Sequence, residues 1–211
     1  MKKVLLIAAL LLLCAGIQAQ IVSSRSTSIK TEKSRTTSQW VLRAGLNLMN
    51  FAGDGVEGSN SNIGYSVMAG FQKPIGAEGA YWGMEAGLGS RGFKAEELKS
   101  IAHNIQFSPF TFGWKFEVAD NFKIDTHLGA FASFDYTSKM KMDGESISWG
   151  DLADYEEVDY NHFDAGLNIG AGIWYGRYNL DFTYQRGFVD VFTDFDGIKT
   201  SNFLIRLGIA F

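Results

Sequence analysis

The final ten residues, NFLIRLGIAF (202–211), alternate without a break. Successive side chains of a β-strand point to opposite faces. Phe203, Ile205, Leu207, Ile209 and Phe211 therefore share one face, and Asn202, Leu204, Arg206, Gly208 and Ala210 share the other. The first face is wholly apolar up to the terminal residue. Chain ends in water normally fray, so an apolar strand face at the terminus implies a surrounding other than water.

Working outward, the same period of two recurs from Trp40 onward. Trp40, Leu42, Ala44, Leu46 and Leu48 oppose Arg43, Gly45 and Asn47, and the run from Ile63 to Phe71 repeats the pattern. So do Trp82 to Leu88, Phe122 to Phe134, Phe163 to Ile173, and Leu180 to Tyr184. One stretch changes phase: Ile101, His103, Ile105 and Phe107 carry the apolar face first, then Phe110, Phe112, Trp114 and Phe116. A one-residue slip inverts every side chain, which predicts a β-bulge at Ser108 and Pro109, where proline also removes a ladder donor. Eight strands result.

The second, fourth and sixth connections are short (KPIGAEGA, VADN, GRYN), and the odd-numbered ones are longer and polar, the fifth running over residues 138–159. Alternation of short turns and long loops is the pattern of an outer-membrane barrel, with turns in the periplasm and loops outside. Trp40, Trp82, Trp114 and Trp174 fall near the short-turn ends of their strands, while Phe51, Tyr65, Tyr136, Tyr160 and Phe163 fall near the loop ends. This spacing predicts two interfacial aromatic belts. A soluble lipocalin-like barrel, the competing arrangement, would turn the apolar face inward. The expected fold is all-β, an eight-stranded antiparallel up-and-down transmembrane β-barrel.

The chain opens with MKKVLLIAALLLLCAGIQAQ, a basic start and an apolar run too short to span a bilayer as a helix. It reads as a secretory signal over residues 1–19, cut after Ala19. A lipoprotein route through Cys14 is weaker, since Leu13 stands where a small residue is wanted. Residues 20–39 are Ser/Thr-rich and basic and read as a flexible periplasmic tail, leaving residues 40–211 for the barrel. Cys14 is the single cysteine, so no disulfide or thiolate site is expected in the exported chain. Of 19 basic residues, Lys2 and Lys3 leave with the signal, and 17 against 23 acidic ones gives −6. That balance argues against nucleic acid as a partner.

These features resemble the small eight-stranded outer-membrane barrels of the OmpA/OmpX type. The segment SPFTFGWKF…VADNFKIDTHLGAF, across the fourth and fifth strands, is similar to the PorT-like barrels. The resemblance implies residence in the outer membrane of a Gram-negative bacterium, contact with outer-membrane lipid and lipopolysaccharide, and, through its PorT-like part, a secretion-associated role. A terminal aromatic on such a last strand resembles the signal read by the barrel-insertion machinery. Phe211, with Ile209, Leu207 and Ile205 behind it, fits that pattern.

An eight-stranded lumen is only wide enough for side chains to fill it. Strand parity turns Arg43, Glu85, Lys123, Asp125, His127, Asp164, Asp181 and Arg206 inward, and the mixed signs predict an ion network, with a narrow ion path as the sharper alternative. A lipid-modifying enzyme, a lipid A deacylase or acyltransferase, is the alternative from another class. Ser90 and His103 fall on the lipid face of adjacent strands, where a nucleophile and its base would be needed. Yet no acid is placed to orient His103, the His-x-Ser pattern of deacylase barrels is absent, and residues 21–39 lack the amphipathic helix of palmitoyl-transfer barrels. The expectation is a non-enzymatic structural or interaction protein without cofactor or metal. In the longest loop Asp151, Asp154, Glu156 and Glu157 are candidate contacts for a divalent cation, lipopolysaccharide or a protein partner.

Overall fold

The computed structural model describes residues 38–53, 60–75, 79–95, 98–142, 145–148, 160–193 and 197–211. Among them run nine strands: β1 (Gln39–Ala52), β2 (Asn62–Pro74), β3 (Ala80–Ala95), β4 (Leu98–Ala119), β5 (Phe122–Met142), β6 (Glu145–Ser148), β7 (Phe163–Tyr175), β8 (Tyr178–Asp190) and β9 (Lys199–Ala210). The short β6 pairs with the far end of β5. The other eight form an antiparallel sheet in which each strand bonds its chain neighbours and β9 returns to β1. The sheet is a closed eight-stranded barrel. The expected signal segment, the expected tail as far as residue 37 and most of the longest loop lie outside the described residues, and Gln39, assigned to the tail, already belongs to β1.

The closing seam runs from Val41↔Ala210 to Ala52↔Lys199. One further rung lies beyond it: the Trp40 N–H donates to the Phe211 carbonyl at 2.9 Å, and the Phe211 N–H donates to the Trp40 carbonyl at 3.0 Å. At this end the chain reverses through Asp120 and Asn121 and through Gly176 and Arg177. Asn121 (φ 62°) and Gly176 (φ 57°) take the left-handed conformation that two-residue hairpins need.

The bulge lies where the phase change puts it. β4 advances from Phe107 to Phe110 while β5 advances only from Ala132 to Ala130, so one residue of β4 is extra. Against β3 the same step runs from Ser108↔Glu85 to Thr111↔Gly83. A third long loop, in contrast, is not found. β3 and β4 stay paired through Lys94↔Lys99 and Ala95↔Leu98, because a polar hairpin satisfies its own backbone bonds beyond the lipid as well as within it. Asn60 extends this outer sheet by a bridge to Lys94.

The faces settle what surrounds the barrel. Inward positions are polar and buried: Arg43, Asn47, Ser66, Asn104, Asp125, Asn168, Asp181 and Arg206. Outward positions are apolar and exposed, among them Leu46, Ile105, Phe112, Leu128, Ile169 and Leu207, the last at 70%. A lipocalin-like barrel has the reverse arrangement. Such a belt is stable only against lipid.

The aromatic belts are partly corrected. Trp40 and Trp114, and at the other end Tyr136 and Phe163, are exposed on the outer face. Trp174 and Phe51 are buried in the lumen, where Phe51 packs on Phe93 at 4.9 Å. Two inward glycines make room for large neighbours. A Cβ on Gly113 would lie 2.4 Å from the Tyr81 ring, and one on Gly170 would lie 2.3 Å from the His127 ring. Much of the glycine content therefore serves lumen packing.

A closed barrel leaves no strand edge for detergent to attack. Unheated protein should run as a compact band on a detergent gel and shift after boiling. Gly113→Val should lower the temperature of that shift; identical migration of heated and unheated wild type would contradict closure.

Candidate functional site

The inward charges gather into two layers. The layer nearer the short turns is built by β1, β3, β4, β5, β7, β8 and β9. Arg43 pairs with Glu85 and donates to Asn179 at 3.0 Å. Arg206 lies 3.6 Å from Glu85 and donates from Nη2 to Asp181 at 2.5 Å and from Nε at 2.8 Å. His127 lies between two carboxylates, 3.6 Å from Asp125 and 3.6 Å from Asp181, with Thr183 at 3.1 Å. Asp125 accepts from the Tyr81 hydroxyl and from Trp174 Nε1, each at 3.0 Å. Lys115 caps the group, its ammonium 3.9 Å from the Trp174 ring centroid and bonded to Gln72 at 2.7 Å.

The layer nearer the loops centres on Arg91. Its Nε donates to Asp135 at 2.6 Å, its Nη1 stands 3.6 Å from Asp164, and its Nη2 donates to the Asn161 carbonyl at 2.5 Å. Tyr160 donates to the same Asp135, and Thr200 donates to Asp164 at 2.5 Å. Between the layers lie buried amides, among them Gln106, Asn168 and Gln185. A cavity of ≈ 20 Å³, lined in part by Arg43, Glu85, His127 and Arg206, has room for about one water molecule.

Of the eight residues assigned inward by parity, Arg43, Glu85, Asp125, His127, Asp181 and Arg206 form the first layer. Asp164 belongs to the second. Lys123 is a correction: it is half-exposed at the short-turn rim, 3.7 Å from Glu117, because a strand's last rungs lie beyond the packed lumen whatever their parity. Sequence reading missed Arg91, Asp135, Tyr160, Tyr81, Trp174 and Lys115. Carrying the period of two past Gly89 and Phe134 would have turned Arg91 and Asp135 inward. Tyr160, assigned to the outer belt, instead faces Arg91.

Ser90 and His103 are cross-strand partners, as the two-strand placement requires. Ser90 is buried at 2%, however, its hydroxyl accepting from the Tyr65 N–H at 2.9 Å and donating to the Tyr65 carbonyl at 3.3 Å. His103 packs instead against the rings of Tyr65 and Tyr136, 5.6 and 6.4 Å between centroids. Ser90 thus serves where the β2–β3 ladder ends. Among the described residues no group of three or more His, Cys, Asp or Glu could hold a metal. Asp151, Asp154, Glu156 and Glu157 lie outside the described residues.

On the closing strand Phe211 and Leu207 are exposed at 70% each, and Ile205 and Ile209 are half-buried on the same outer face. The terminal ring faces outward while its backbone completes the seam.

A closed barrel with an apolar outer belt and an ion-paired lumen is the architecture of a protein built to sit in an outer membrane. The family comparison agrees: the model for the outer membrane protein β-barrel domain matches residues 18–193, and the chain belongs to that family. It resides in the outer membrane of a Gram-negative bacterium. Among solved structures it is similar to Ail, the attachment invasion locus protein of Yersinia pestis, at 15% identity over 82% of this chain and 99% of that one, with a TM-score of 0.43. Neisserial surface protein A matches at 13% identity over 81% and 95%, with a TM-score of 0.46. The outer membrane enzyme PagL matches at 13% identity over 80% and 98%, also with a TM-score of 0.46. No curated protein matches the sequence.

Breaking one partner of a buried pair strands the other. Arg206→Met should destabilise the barrel by about 3–5 kcal/mol, and Lys123→Met by less than about 1 kcal/mol, read as urea midpoints in lipid vesicles; equal effects would refute the layered assignment. Phe211→Ala keeps the backbone rung but removes the ring. Inserted protein in cells should fall several-fold while refolding in detergent is unchanged; equal loss in both settings would make the ring a packing residue only.

Proposed function

We propose that this chain is a non-enzymatic barrel with a structural or interaction role, whose lumen does not conduct. The ion-paired layer of Arg43, Glu85, Asp181, Arg206 and His127 carries the reading. It draws side chains from strands all around the barrel into mutual contact, and opening a path through it would separate buried charges, at a cost of several kcal/mol per ion. The backbone bonds of the Ser90 hydroxyl and the ring packing of His103 support the absence of catalysis on the outer wall.

A finer reading, a secretion-associated role like that of the PorT-like barrels, is supported by the β4–β5 segment alone. It is tested by comparing secreted proteins of cells with and without this chain.

Reconstituted in planar bilayers, the protein should give no steady conductance, whereas simultaneous Arg43→Ala, Glu85→Ala and Arg206→Ala should open a small leak. Wild-type channels would favour the narrow-pore alternative. Lipid A from cells with and without the protein should have identical acyl chains by mass spectrometry; an acyl change lost in Ser90→Ala would establish the enzyme instead.

A further inference from the structure

The lumen layer nearer the loops does not balance its own charge. Asp135 and Asp164 are each 1% exposed, and among the described residues the single cation that reaches them is Arg91, itself 2% exposed. Other cations near this level are turned away. Arg186 donates to the Ala52 carbonyl at 3.2 Å, Lys199 pairs with Asp190, and Lys94, Lys99, Lys139 and Lys141 are exposed. His162 stacks on Phe134, which faces outward. The loops cannot supply the missing charge either, since residues 54–59, 96–97, 143–144, 149–159 and 194–196 contain no Lys, Arg or His. Outside the described residues those types occur only within residues 1–37, which lead into β1 at the short-turn end. One buried negative charge is left over, and an uncompensated buried charge is strongly destabilising.

The same layer leaves oxygen atoms unbonded. Arg91 faces the Oδ2 atom of each aspartate, at 2.6 Å and 3.6 Å, and Tyr160 and Thr200 donate to those same two atoms. The Oδ1 atoms of both aspartates are buried without a hydrogen-bond partner. So is Oδ1 of Asn104, a neutral side chain that is 4% exposed. Asn104 is the cross-strand partner of Asp135, which places their Cβ atoms about 4.5–5.5 Å apart on one face. Its Oδ1 lies over Gly89, the inward neighbour of Arg91 on β3. The amide therefore leans toward the same strand as the Asp135 carboxylate that Arg91 holds. Arg91 Nη1 also lacks a hydrogen bond, but turning it onto an Oδ1 atom would add a bond and leave the charge unchanged.

Unbonded buried acceptors call for a donor or a cation, and the missing positive charge selects the cation. Carboxylate and amide oxygens are hard ligands, of the kind that bind alkali and alkaline-earth ions. A divalent ion would leave the layer with a buried surplus of positive charge beside Arg91. A monovalent ion closes the balance. We propose that the loop-side lumen holds one alkali cation, bound by Oδ1 of Asp135 and Oδ1 of Asn104, with Asp164 completing the charge. The ion stays in place and carries no current, so its test can fail without touching the reading of a non-conducting barrel.

The test uses the full exported chain refolded in detergent, with the temperature of the gel-band shift as readout. Sodium or potassium chloride should raise that temperature over N-methylglucamine chloride of equal ionic strength, by about 3–6 °C at ten times the ion's dissociation constant. Asp164→Asn removes the surplus charge at nearly constant shape and should abolish the difference. Glu117→Gln, at the opposite rim, should keep it. Crystals of the wild type soaked in thallium(I) should show an anomalous peak beside Asp135 and Asn104 in the lumen, which decides the matter even if Asp164→Asn fails to fold. Equal temperatures in the two salts, the result expected if a proton holds the surplus charge, would overturn the proposal. So would a difference that survives in Asp164→Asn, a thallium peak elsewhere alone, or a larger rise with calcium than with sodium or potassium.

Discussion

Inside a bilayer no water is available to bond a peptide group, so every N–H and C=O at that depth must find its partner within the protein. The seam between β1 and β9 meets this demand for the whole sheet. Without it two strands would each present a row of unpaired groups to lipid, and the ladders that hold the remaining strands would end in open edges. The last rung, between Trp40 and Phe211, is part of that seam. The final residue therefore satisfies the backbone with its peptide group and meets lipid with its ring.

Closure then dictates the interior. Eight strands enclose a lumen that side chains must fill, and the outward face has already taken the large apolar residues. What remains for the inside is polar, and buried polar groups are stable only when bonded to one another. Hence the two charged layers, each combining guanidinium with carboxylate, and the hydroxyls of Tyr81, Tyr160, Thr183 and Thr200 donating to those carboxylates. Tyr81 over Gly113 and His127 over Gly170 show how the packing is achieved, a large ring on one strand lying over a residue without a side chain on another. A lumen filled this way fixes the strands relative to one another.

The outer surface is graded along the barrel axis. Apolar side chains cover the middle, and aromatic and histidine rings follow at the loop end. The gradient matches a bilayer seen from its core outward, hydrocarbon and then interface. The family and the outer-membrane location agree with it.

Apart from the short β6, the sequence by itself determined the strands, the bulge at Ser108 and Pro109, and which face of each strand is apolar. All of these follow from a period of two, a local property that needs no knowledge of neighbours. Parity likewise identified Arg43, Glu85, Asp125, His127, Asp164, Asp181 and Arg206 as inward residues. Only the tertiary structure decided who meets whom. It separated Asp164 from the other charges and gave it to Arg91, moved Trp174 and Tyr160 from the outer belts into the lumen, left Lys123 at the rim, and committed Ser90 to the backbone of Tyr65. Pairing across strands depends on register, on how far each ladder continues past the lipid, and on closure around the barrel. Those quantities join residues as far apart in sequence as Trp40 and Phe211 at the seam or Arg43 and Asn179 in the lumen, and no local period carries them.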